Sequence, residues 1–61
     1  MTRTHAAKRL LEHGPLSFGD FMSITGWRET IASSALDRLM KRGAVSIKNM
    51  DGKRHYFLAV A

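Results

Sequence analysis

The 61 residues contain no cysteine, one proline and no apolar run approaching the length of a membrane span. Without cysteine there is neither a disulfide framework nor a thiolate metal site to reinforce the fold. A spanning helix needs about 18 or more apolar residues, and no charged n-region followed by an apolar h-region opens the sequence. The setting expected from these absences is reduced, intracellular and soluble, hence the cytoplasm. Acidic side chains are also scarce, five Asp and Glu against ten Lys and Arg, which gives a net charge of +5. A basic surplus on so small a body points to polyanionic partners.

What is present fits one domain, residues 1–61, because compact domains rarely fall below about 50 residues. A chain this short buries only about 60% of the surface its unfolded form exposes, so its core is marginal. The charge is unevenly distributed. Residues 1–9 carry +3 from Arg3, Lys8 and Arg9, residues 10–40 carry −2, and residues 41–61 carry +4. A fold that brings the two ends to one side creates a basic face.

Glycine punctuates the chain. Gly14-Pro15 is a helix stop and turn, Gly26 separates two helical patterns, and Gly43 follows Lys41-Arg42 as a helix-ending residue. Asp51-Gly52 lies between alternating segments, a strong hairpin signal. Four elements follow: helices over 3–13, 17–24 and 27–42, and a hairpin over 44–60. Thr4 is the expected N-cap of the first helix, and Ser17 with Asp20 resembles a capping box at the second. Phe18, Phe21, Met22 and Ile24 supply that helix's apolar contacts. In the third helix Ile31, Ala32, Ala35, Leu36 and Leu39 share one arc, while Thr30, Ser33, Ser34, Asp37 and Lys41 face away. After Gly43 the period changes to two. Val45, Ile47, Tyr56, Leu58 and Val60 form an inner face under either a two-residue turn or a four-residue loop, because that shift preserves the side. Phe57 is left on the outer face.

Catalysis is not expected. His5, His13 and His55 lack metal-ligand spacing, no glycine loop cradles a phosphate, and neither a nucleophile elbow nor room for a sizeable pocket is present. No metal, cofactor or small-molecule ligand is implied.

The segments "GPLSFGDFMSITGW", "SALDRLMKRGAVSIK" and "DGKRHYFL", in the order helix, short helix, turn, longer helix and basic hairpin, resemble the winged helix-turn-helix domain. The stretch Leu36-x-x-Leu39-x-x-x-Gly43-x-Val45 looks like the junction of recognition helix and wing in small bacterial or phage regulators of the MarR, IclR and ArsR kind. The resemblance spans about Thr4 to Leu58 and is shared by many families. It implies an α+β fold of three helices and a two-stranded wing, with a minimal extra strand at Leu16. It also implies sequence-specific binding of double-stranded DNA as a transcriptional regulator, with the third helix in the major groove and the wing on the backbone or minor groove.

The residue chemistry agrees with that implication. The start of a recognition helix meets base edges, and here it offers Arg28, Glu29, Thr30, Ser33 and Ser34. Arg28 could read guanine and Glu29 could accept from cytosine, while small hydroxyls admit close approach. Arg38, Lys48, Lys53, Arg54 and His55, with Arg3 or Arg9 nearby, would hold phosphates, and Asn49 is short enough for the minor groove. Asp37 would repel phosphate, so only the first half of the helix is expected to enter. Two rival readings share the fold. One is a protein-interaction module or homodimer using the Phe57 surface; the other is a DNA-bending accessory factor of the excisionase kind.

Overall fold

A computed structural model describes residues 2–59 of the chain. The elements run α1 (Arg3–Leu11), β1 (Leu16–Ser17), α2 (Phe18–Thr25), α3 (Glu29–Lys41), β2 (Val45–Met50) and β3 (Lys53–Leu58). The class is α+β. The sheet has three antiparallel strands in the order β1-β3-β2, so the hairpin gains the short strand at Leu16.

Local chemistry explains where the helices begin. Thr2, not Thr4, caps α1: it is extended, and its hydroxyl accepts the His5 N–H at 3.1 Å. A cap must lie outside helical backbone geometry, and Thr4 is already the second helical residue. The helix ends at Leu11 rather than His13, and the His13 and Gly14 amides close onto the carbonyls of Leu10 and Leu11. Ser17 caps α2 as expected, accepting the Asp20 N–H at 3.2 Å. Asp20 itself lies in the first turn, where the helix dipole favours a carboxylate.

The third helix begins at Glu29 rather than Trp27 because Trp27 is engaged elsewhere. The Thr25 hydroxyl donates to the Phe21 carbonyl at 2.9 Å and accepts the Trp27 N–H at 3.2 Å. The indole meets the Phe21 ring edge-on at 5.8 Å and 74°, which makes Trp27 a core-supporting residue of the turn. At its other end α3 closes in a Schellman motif. The Ala44 N–H bonds the Leu39 carbonyl at 2.9 Å and the Gly43 N–H bonds that of Met40 at 3.0 Å. Gly43 holds φ at +76° there, a left-handed geometry that costs other residues more.

The core is one cluster drawn from every helix and from the sheet: Ala7 and Leu11 of α1, Phe21 of α2, Ala32, Ala35, Leu36 and Leu39 of α3, and Val45 and Tyr56 of the hairpin. Phe21, Leu36 and Leu39 are its largest fully buried side chains, each worth about 1.5–3 kcal/mol of apolar transfer. Phe18 adds a tilted ring contact to Tyr56 at 6.0 Å.

The hairpin uses the two-residue turn. Met50 pairs with Lys53, and Asp51 and Gly52 both have positive φ, the signature of a type I′ turn. Ile47 therefore opposes Tyr56 and Val45 opposes Leu58, and Leu16 of β1 joins on the far side of Tyr56. The inner face is shorter than the alternation predicts. Val45 and Tyr56 are buried and Leu58 packs on the core, but Ile47 is 39% exposed. Burial falls away along β2 toward its tip, because the hairpin extends beyond the core that covers its base. Ile24, expected among the contacts of α2, is 57% exposed in the last turn of that helix. Phe57 lies opposite Ser46 and is half-buried, whereas among the described residues the large exposed apolar side chains are Ile24, Ile47 and Met50. Val60 lies outside the described residues.

Candidate nucleic-acid interface

The polar side of α3 is free. Glu29, Thr30, Ser33, Ser34, Asp37 and Arg38 are all exposed, opposite the buried arc of Ala32, Ala35, Leu36 and Leu39. Its N-terminus also differs from the other two. Arg28 occupies the cap position in extended backbone but makes no side-chain capping bond, whereas Thr2 and Ser17 both do. Backbone N–H groups at an open helix start, with the positive end of the dipole, favour an anion. Asp37 and Lys41 form an exposed pair at 3.5 Å, i to i+4, in the second half of α3. The first half carries hydroxyls, with Glu29 as its acidic member, and Arg28 precedes it at the cap.

The hairpin cations divide by register. Strand alternation puts Lys48, Lys53 and His55 on one side of the hairpin and Asn49 with Arg54 on the other, where Val45 and Tyr56 also lie. Lys48, Asn49, Lys53 and Arg54 are exposed and His55 is half-buried. His55 Nδ1, in the tautomer that protonates it, donates to the Lys53 carbonyl at 3.2 Å. Lys53 and Arg54 border a depression with Ser17, Phe18, Gly19 and Asp20, so the hairpin cations adjoin the start of α2.

A second basic cluster is not resolved by spacing. Arg3 and Thr4 of α1 meet Ile31, Ser34, Ala35 and Arg38 of α3 around a groove of about 260 Å³. The clustering of positive charge near residue 1 signals such a role, but it leaves Arg3 and Arg9 equal. The packing separates them: Arg9 points into a different depression and lies 3.9 Å from Glu12. Among the described residues no group of three His, Asp or Glu side chains could hold a metal ion, and no helix is long and apolar enough to cross a membrane.

No protein-family model and no curated protein matches the chain. Among solved structures it is similar to the reduced form of the transcriptional regulator YodB from B. subtilis, with a TM-score of 0.82 at 18% sequence identity. The likeness covers 95% of this chain, which spans 61% of that one. Three helices, the tight turn Gly26–Arg28 between the second and third, and a hairpin braced by a two-residue strand together define the architecture: these residues fold as a winged helix-turn-helix.

Proposed function

We propose that the domain binds double-stranded DNA sequence-specifically as a small transcriptional regulator of a bacterium or phage, acting in the cytoplasm and at the nucleoid when bound. The first half of α3 enters the major groove, where Arg28, Glu29, Thr30, Ser33 and Ser34 face base edges. The wing lies along the backbone or minor groove through Lys48, Asn49, Lys53, Arg54 and His55, and Arg38 holds a phosphate. The observation that carries this reading is the exposed, hydroxyl-bearing and uncapped start of α3 on a body of net charge +5. One module of this size covers about 600–1,000 Å², so a dimer or an adjoining protein is expected on the DNA. A protein-interaction role remains the second reading, with the exposed Ile47 and Met50 on opposite faces of the hairpin.

Fragment selection from genomic DNA by the purified protein, followed by fluorescence anisotropy, tests the proposal. An enriched motif is expected, with affinity falling steeply as salt rises. Changing Lys53 and Arg54 to alanine should reduce the slope of log K against log salt by about 0.9 for each phosphate no longer neutralised. An unchanged slope removes the wing from the interface, and no enriched sequence at all leaves the protein-partner reading.

A further inference from the structure

We propose that the groove between α1 and α3 is a phosphate-binding site in which Arg3 and Arg38 act as a pair. The inference rests on the DNA-binding reading only for the source of the phosphate. The site's chemistry stands on the groove itself.

The groove of about 260 Å³ is lined by two guanidinium side chains, Arg3 and Arg38, two hydroxyls, Thr4 and Ser34, and an apolar floor of Ile31 and Ala35. Among the described residues, no carboxylate belongs to that lining. The ion pairs among the described residues are Arg9–Glu12 and Asp37–Lys41, so neither groove arginine is paired with a carboxylate among those residues. Two cations beside one recess with no acid between them repel each other. A phosphate placed between them reverses the sign of the interaction. Each planar guanidinium fork can bond two phosphate oxygens, and the Thr4 hydroxyl can serve another, while Ser34 borders the base-facing surface. The floor excludes water from one side, which strengthens every bond made there.

The groove's position supplies the phosphate. Ser34 and Arg38 occupy the α1-facing flank of α3, next to the exposed polar surface that carries Thr30 and Ser33. A helix lying in a groove about 12 Å wide has a sugar–phosphate wall on each side. The α1-facing flank meets one wall, and Arg3 reaches it from the neighbouring helix. The Lys53–Arg54 depression shares no residue with this cluster, so the two make separate backbone contacts. Arg3 thereby joins the interface from an element outside the helix-turn-helix and the wing.

Two arms distinguish a DNA phosphate from a free one. In the first, inorganic phosphate is titrated into the protein at constant ionic strength and followed by amide NMR. Shifts confined to residues 3, 4, 34 and 38, and abolished in Arg3→Gln with Arg38→Gln, are expected. In the second, anisotropy on the selected duplex compares wild type with Arg3→Gln, Arg38→Gln and the control Arg9→Gln. Each groove variant should lower the salt slope by about 0.9, so a rise from 50 to 200 mM salt weakens binding about 3.5-fold less for each phosphate. Arg9→Gln should leave the slope unchanged. All three positions are exposed, and coincident thermal melts verify that the variants fold. Phosphate shifts without a change in DNA slope overturn the backbone as the source and assign the groove to a free phosphate compound. Absence of both effects overturns the site. If no duplex binds at all, the functional reading fails while the first arm still decides the groove.

Discussion

Replacing Arg28 with serine should make the domain more stable and a weaker DNA ligand. The backbone at residue 28 has φ −71° and ψ 162°, the same well as Thr2 (−79°, 160°) and Ser17 (−69°, 160°), whose hydroxyls cap α1 and α2. A serine at position 28 therefore needs no backbone change to accept the Ile31 N–H. A new cap is worth about 0.5–2 kcal/mol. The Ile31 N–H already leans on the Arg28 carbonyl at 3.1 Å, so the gain falls in the lower part of that range. Removing a cation from the positive end of the helix dipole adds about 0.3 kcal/mol. Arg28 forms no ion pair among the described residues, so nothing comparable is given up. The net is about 1 kcal/mol, or a rise in Tm of about 4–8 °C for a domain of this size. That is a large fraction of a total stability of about 3–9 kcal/mol. Differential scanning calorimetry reads the first effect. Anisotropy reads the second, a loss of about tenfold if Arg28 makes a bidentate base contact. An unchanged or lower Tm refutes the capping argument, and a higher Tm with undiminished affinity removes Arg28 from the interface.

Two further outcomes test the packing. Phe21→Ala deletes a fully buried ring that also holds Trp27 at the turn; a loss of about 3–5 kcal/mol should leave little folded protein, as circular dichroism would show, and a melt shifted by only a few degrees contradicts a core centred on that ring. Val45→Ala should cost about 2 kcal/mol, whereas Ile47→Thr, on the same face of β2, should stay within about 0.5 kcal/mol. Equal losses in urea titration would mean that the helices cover the hairpin further toward its tip.

The hairpin is the most legible element: Asp51-Gly52 signals the turn, alternation names the two faces under either loop length, and the structure takes the two-residue turn that pairs Met50 with Lys53 and Val45 with Leu58. The buried arc of α3 follows from helical spacing alone. Alternation names a face, however, and does not say how far the neighbouring helices extend over it, so it places Ile47 in a core that ends before it. Ile24 is misplaced for a similar reason, since α2 is too short for its apolar residues to define one clean stripe. The start of α3 depends on a tertiary event, the engagement of Trp27 with Phe21 and Thr25, which no local propensity expresses. At the candidate interface the exposed residues of α3 are readable from the helical wheel. The pairing of Arg3 with Arg38 is not, because spacing within each helix leaves the rotation of α1 against α3 undetermined.

The two-residue strand β1 makes the wing and the start of α2 one mechanical body. Leu16 and Ser17 bond to β3 opposite Tyr56 and His55. The next residue, Phe18, opens α2 with its ring against Tyr56. Only three residues, Gly26–Arg28, separate the far end of that helix from α3. Under the proposed DNA-binding function, a wing tied to α2 in this way would set the angle at which α3 meets a duplex.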